Sequence, residues 1–253
     1  GANQTVAEDS APVTVPGWVQ AFSAGPADEA EQTLTYLVTC DHPELFAEEG
    51  QPSVTAEGTL SYQPAADAFG TATVTVAARD SGSTANAGDE NTSAAQTFTI
   101  TVTPVNDAPS FTAGGNLTIA EDAGPQTLTH WATAITAGPA NESDQTARFT
   151  VTGNTNATLF AGDGAPAVLP DGTLTYTTAA DAYGSAVITL VVSDNGGVAN
   201  AGDADTSAAQ TFTITVTPVN DAPWIAGEDT FTTEEDTACE YTFTIGDMED
   251  AAS

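Results

Sequence analysis

Two short segments carry the residues best suited to chemistry, and both are oxygen donors. Val105-Asn106-Asp107-Ala108-Pro109 and its twin Val219-Asn220-Asp221-Ala222-Pro223 each set an amide beside a carboxylate. Pro104 and Pro109 bracket the first run and reduce its freedom, so its oxygens sit on a stiff stretch without secondary structure of its own. A hard divalent cation such as Ca²⁺ takes six to eight oxygens from carboxylates, amides, backbone carbonyls and water. A linker of this kind supplies part of such a shell, and acidic loops around it would supply the rest.

Catalytic chemistry lacks its parts. The histidines are His42 and His130, and no Gly-x-Ser-x-Gly or phosphate-binding loop occurs. Cys40-Asp41-His42 brings a thiol near an imidazole, but its equivalent in the second half has neither group, which fits a surface loop better than a nucleophile. Two cysteines and two histidines so dispersed do not make a zinc site. Carboxylate pairs for glycoside hydrolysis could be drawn almost anywhere. Yet the same acids return in each copy, which suits a repeated structural task. The expectation is a protein that is not an enzyme.

Charge narrows the partners. The 253 residues hold 35 acids against two basic residues, Arg79 and Arg148, a formal net charge of −33. Such a chain repels phosphate backbones and anionic bilayers, which argues against nucleic-acid and membrane partners. No apolar run is long enough for a membrane span. The opening Gly1-Ala2-Asn3-Gln4 has neither the charged nor the apolar region of a secretory signal. Self-repulsion must be offset by bound cations or by external salt. The chain has no lysine, so lysine–asparagine isopeptide staples are impossible. Cys40 and Cys239 fall in different repeats, and no disulfide is expected between them.

Self-similarity sets the organisation. Residues 92–109, TSAAQTFTITVTPVNDAP, recur unchanged at 206–223. Glu8-Asp9 matches Glu121-Asp122, Trp18 matches Trp131, and Asp67-Ala68-Phe69-Gly70 matches Asp181-Ala182-Tyr183-Gly184. The implied domains are 1–107, 108–221, and a fragment of a third repeat over 222–253. The fragment holds at most two strands, too few to close a sandwich alone.

These repeats read as β-structure. From Thr97 to Thr103 apolar residues alternate with threonine, which predicts a half-buried strand with Phe98, Ile100 and Val102 inward. Leu34–Val38, Thr59–Tyr62, Thr73–Ala77 and Val187–Val192 read similarly, and no stretch sustains a helical period. About seven short strands in roughly 110 residues point to an Ig-like antiparallel sandwich. The fold class is all-β, tandem Ig-like sandwiches arranged end to end. Trp18 and Trp131 are expected in the cores. Phe69 and Tyr183 are expected to fill the core beneath their turn, rather than stand exposed as a platform for sugars.

The linker, with Gly25-Pro26-Ala27-Asp28-Glu29 upstream, resembles cadherin-like and VCBS-type repeats of large bacterial surface and secreted proteins, including RTX-type adhesins. The resemblance implies extracellular extender or adhesion modules whose junctions bind Ca²⁺. At the first junction it implies Glu8, Asp67, Asn106 and Asp107, with Asn141, Glu142, Asp144 and Asp194 from the second repeat. At the second it implies Glu121, Asp181, Asn220 and Asp221, with Asp247, Glu249 and Asp250 from the third. Implied partners are neighbouring repeats of the same chain, and cell-surface glycans or other cells. The alternatives are carbohydrate-binding modules and salt-adapted spacers without specific metal sites.

Overall fold

The structure is a computed structural model that describes residues 1–21, 23–26, 29, 31–82, 91–226, 235–236 and 242–246. It divides into two compact units. The first comprises Gly1–Asp107 with Gly138–Asp144 and Gly196–Ala204; the second comprises Ala108–Ala137, Gln145–Asn195 and Asp205–Ser253. Two short segments of the second repeat thus belong, by their packing, to the first unit.

In the first unit, β1 (Gln4–Ala7), β7 (Gln96–Thr103), β6 (Gly70–Asp80) and β3 (Leu34–Cys40) form one sheet in that order. β1 runs parallel to β7, and the other pairs are antiparallel. The second sheet holds β2 (Val13–Val15), β5 (Leu60–Tyr62) and β4 (Ser53–Val54). Their inward faces meet in one core that includes Trp18, Phe46, Leu60, Tyr62, Val74, Phe98 and Ile100. The predicted alternation holds: Phe98, Ile100 and Val102 are buried, with less buried threonines between them. Branching at Cβ suits threonine to these positions, and the inward residues supply the burial that drives folding.

The second unit repeats the plan. β9 (Leu117–Ala120), β16 (Gln210–Thr217), β15 (Gly184–Ser193) and β12 (Arg148–Asn154) make one sheet. β10 (Pro125–Leu128), β14 (Leu174–Thr177) and β13 (Ala167–Val168) make the other. β8 (Ser110–Thr112) pairs with β11 (Thr133–Thr136) beside them. Trp131 lies in this core with its ring centroid 4.3 Å from that of Phe212, as Trp18 lies 4.4 Å from Phe98 in the first unit. Of the third repeat, β17 (Trp224–Ala226) and β18 (Thr244–Gly246) pair antiparallel.

The architecture is all-β and Ig-like, as the periodicity predicts; among the described residues the only helical segments are single 3₁₀ turns. Cys40 carries a free thiol, and Cys239 lies outside the described residues. One expectation fails. Phe69 and Tyr183 are 47% and 44% exposed, while their neighbours Ala68 and Ala182 pack against the cores. The turn starts from Asp67 or Asp181 at φ 53° and exits through Gly70 or Gly184 at positive φ. That path turns the alanine inward and leaves the aromatic outside.

Candidate metal centres

Each unit gathers three aspartates. In the first, carboxylate oxygens of Asp9, Asp67 and Asp107 all lie within 4.8 Å of one another; in the second, Asp122, Asp181 and Asp221 do the same. The turns that present them are built alike. Asp9 and Asp67 take left-handed backbone at φ 60° and 53°, and Asp122 and Asp181 do so at 59° and 53°. Aspartate tolerates this region better than most residues with a Cβ. An Asp9 carboxylate oxygen accepts the Asp67 backbone N–H at 3.2 Å, and Asp122 accepts that of Asp181 at 3.4 Å. The two turns are thereby locked face to face.

A buried glutamate supports each cluster. Glu8 is 2% exposed and Glu121 is 3% exposed, each directly before its left-handed aspartate. Glu8 Oε1 accepts the Val105 N–H at 2.9 Å, and Glu121 Oε1 accepts that of Val219 at 2.7 Å. These bonds fasten the start of the linker and so fix where Asp107 and Asp221 emerge.

The first centre has more donors around it. The segment Gly138–Asp144 contains a 3₁₀ turn over Ala140–Glu142 with Glu142 buried. Asn141 Nδ2 donates to both carboxylate oxygens of Glu8, at 3.2 and 3.4 Å, and the Asp107 N–H donates to Glu142 Oε1 at 3.1 Å. A Cβ at Gly138 would stand 1.8 Å from Glu142 Oε2, so a side chain there would push the Glu142 carboxylate from its place. Asn106 clamps the neighbouring turn: its Nδ2 donates to the Ala204 carbonyl at 2.7 Å, and its N–H donates to Asp203 at 3.0 Å. Asp203 is held below the usual carboxylate range by the N–H groups of Asn106 and Asn200.

Several oxygens here are buried without a hydrogen-bond partner: Asp107 Oδ2, Glu142 Oε2 and Asn141 Oδ1, with Glu121 Oε2 in the second unit. Among the described residues the only ion pair is His42 with Glu44, so Arg79 and Arg148 neutralise neither cluster. Converging carboxylates without a counter-charge favour protonation or a bound cation. Burial raises Glu8 above its ordinary 4.5, outweighing the Val105 N–H; Asp9, Asp107 and Asp67 push the same way. Burial likewise raises Asp107 above 3.8, with Asp9, Glu142 and Asp67 adding to it.

Both shifts mean that the folded, metal-free chain holds these protons more tightly than the unfolded chain. Their stabilising contribution is complete below the ordinary values and is lost as pH rises through the raised ones. Thermal melts of metal-free protein are therefore expected to fall in midpoint as pH rises from about 4 to about 7. A midpoint that climbs over that interval would contradict the assignment.

The expected residues fall into groups. Asp67 and Asp107 join the first cluster, and Asp181 and Asp221 join the second. Glu8, Asn141 and Glu142 border the first through the bonds above, while Glu121 supports the second. Asp144 is exposed at the end of its segment. Asp194, just past β15, belongs to the second unit, and its N–H donates to the Asp205 carbonyl at 3.1 Å. Asn220 is exposed and its Nδ2 donates to the Asp221 carbonyl at 3.0 Å. Asp247, Glu249 and Asp250 lie outside the described residues. Asp9 and Asp122 were missed, although Glu-Asp recurs at both positions and marks them.

Residues 2–101 match the bacterial Ig domain family. The first repeat is similar to that family over nearly all of its length. The second carries its landmarks and the same strand order, so the fold is a tandem of Ig-like sandwiches. Among solved structures, repeats EC21-23 of human CDH23 share 18% identity, with 98% of this chain and 84% of that one covered and a TM-score of 0.48. Human Protocadherin-24 EC1-2 shares 16%, covering 74% of this chain and 82% of that one at a TM-score of 0.41. Domains 4 and 5 of the S-layer protein SbsC share 16%, covering 72% and 70% at a TM-score of 0.28. No curated protein matches the chain.

Proposed function

We propose that these Ig-like repeats are non-catalytic extender modules of a large extracellular bacterial surface protein, each holding Ca²⁺ at the linker that ends it. The observation that carries this reading is the convergence of Asp9, Asp67 and Asp107 in a chain whose two basic residues form no ion pair among the described residues. Oxygen donors alone, without histidine or thiolate, suit a hard cation. Glu142 Oε2 and Asn141 Oδ1 would complete the first set, and a cation there would tie the 138–144 segment to the linker. Asp122, Asp181 and Asp221 would form the second set. Repeat boundaries near 107 and 221 follow from this reading, because each centre falls where one repeat gives way to the next. Extracellular modules commonly bind Ca²⁺ with a Kd of about 10⁻⁴–10⁻³ M.

Isothermal titration with Ca²⁺ is expected to give saturable binding in that range, with Mg²⁺ much weaker because it demands a smaller octahedral shell. No saturable Ca²⁺ signal would defeat the reading. No helix among the described residues is long and apolar enough to cross a membrane. Carbohydrate contact is a second reading, favoured by the exposure of Phe69 and Tyr183 at one equivalent position. Retention on insoluble polysaccharide that disappears in the double Phe69→Ala, Tyr183→Ala chain would support it, and unchanged retention would count against those residues.

A further inference from the structure

Asn195-Gly196 is the one Asn-Gly pair in the sequence, and it lies in the loop that follows β15. Both residues are exposed, and a Cβ placed on the next residue, Gly197, would meet nothing within 4 Å. Asn195 Oδ1 accepts the Thr146 N–H at 2.7 Å and the Thr146 hydroxyl proton at 3.3 Å. The first repeat sets Ser81-Gly82 at the equivalent position, where the Ser81 hydroxyl oxygen accepts the Thr33 N–H at 3.1 Å. The loop thus needs one acceptor oxygen at this place. Serine supplies it without further chemistry, whereas asparagine supplies it and adds a reactive amide.

We infer that Asn195 is a site of spontaneous deamidation, with water as the co-reactant and Thr146 assisting. Solvent base removes the Gly196 amide proton, and that nitrogen attacks Cγ of Asn195. The carbonyl electron pair moves onto Oδ1, where the two Thr146 donors meet the growing negative charge. Donors aimed at a developing oxyanion lower the barrier to its formation. Collapse restores the carbonyl and breaks the Cγ–Nδ2 bond, and Nδ2 leaves with a solvent proton as ammonia. Water then opens the cyclic succinimide at either carbonyl, which gives aspartate or isoaspartate at 195. Each event consumes one water and releases one ammonia, with nothing oxidised or reduced. Glycine after the asparagine leaves the attacking nitrogen unhindered and its backbone free to turn toward the side chain.

Either product adds a carboxylate beside Asp194. Isoaspartate also routes the main chain through the side-chain carbons, which lengthens it by one methylene ahead of residues 196–204. That stretch ends on the clamp around the first linker. Asp203 accepts the Asn106 N–H, the Ala204 carbonyl accepts from Asn106 Nδ2, and the Ala204 N–H donates to the Asn106 carbonyl at 2.7 Å. Ageing at 195 therefore loosens the hold on Asn106. Neither Asn195 nor Thr146 belongs to a carboxylate cluster, so the chemistry stands apart from the calcium reading.

The test incubates the whole chain at mildly alkaline pH and follows each asparagine by peptide mass mapping, with isoaspartate identified by enzymatic methylation. Asn195 is expected to convert about tenfold or more ahead of Asn200, which precedes alanine in the same loop, for a barrier lower by about 1.4 kcal/mol. Conversion in the native chain is expected to be at least as fast as in guanidinium chloride, where the Thr146 donors are lost. Asn195→Ser, the first repeat's own residue, should keep its melting midpoint through the incubation, while that of the parent falls as isoaspartate accumulates. Asn195→Asp carries the charge without the longer main chain and should melt close to the fresh parent. An Asn195 that stays intact, converts no faster than Asn200, or is protected by folding would overturn the inference. An unchanged midpoint in the fully converted parent would overturn the loosening of the clamp.

Discussion

Asp107→Asn is expected to change stability in opposite directions with and without calcium. The substitution keeps the backbone N–H that donates to Glu142 Oε1 and nearly preserves volume, but removes a charge that faces Asp9, Glu142 and Asp67. Without metal, loss of that repulsion should raise the melting midpoint slightly. With Ca²⁺ at a hundredfold excess over Kd, a single site adds about 2.7 kcal/mol to the folded state, and the variant should lose nearly all of it at the first centre. A residue that served only packing would shift both conditions the same way. The equivalent Asp221→Asn change tests the second centre separately, since its cluster lies wholly in the other unit. Differential scanning calorimetry of both variants, each with and without Ca²⁺, decides the point.

Trp131→Ala is expected to cost about 3–5 kcal/mol, the usual range for removing a large aromatic from a core. Trp131 is 7% exposed, its ring contacts Phe212, and its Nε1 donates to the Gly115 carbonyl. Its loss opens a cavity between the two sheets and frees a carbonyl that held the approach to β9. The expected result is a much lower transition for the second unit, with a smaller change in the first, which has its own core around Trp18. Two calorimetric transitions in the parent that shift unequally in the variant would show this. Equal displacement of every transition would contradict the separateness of the cores.

Much of the fold was legible because burial imposes a period on sequence. Thr97 to Thr103 could be assigned with its inward face because an alternating strand leaves no choice of side. Phe69 was misjudged for the complementary reason. Its turn depends on Asp67 at φ 53°, and backbone handedness at a non-glycine residue leaves no hydrophobic pattern to read. Asp9 and Asp122 carry a sequence mark in the recurring Glu-Asp, but only the folded backbone, left-handed at both, brings them to the clusters. Asp107 was visible because a repeated linker advertises itself.

Roles within the site were harder still. Glu8 reads from sequence as one more acidic oxygen donor, and in the fold its bonds to Val105 and Asn141 also brace the linker. Asn106 sits beside Asp107 in the motif, yet its amide holds Ala204. Distinguishing a ligand from a support requires knowing what each oxygen already accepts, and that is a property of the folded chain.

Clustered aspartates built for a specific hard cation must respond to Ca²⁺ itself and not merely to ionic strength. Melting the chain in millimolar Ca²⁺, in excess chelator, and in NaCl matched for ionic strength separates the two. A midpoint clearly higher in Ca²⁺ than in either of the others is expected. Equal midpoints in Ca²⁺ and matched NaCl would contradict it.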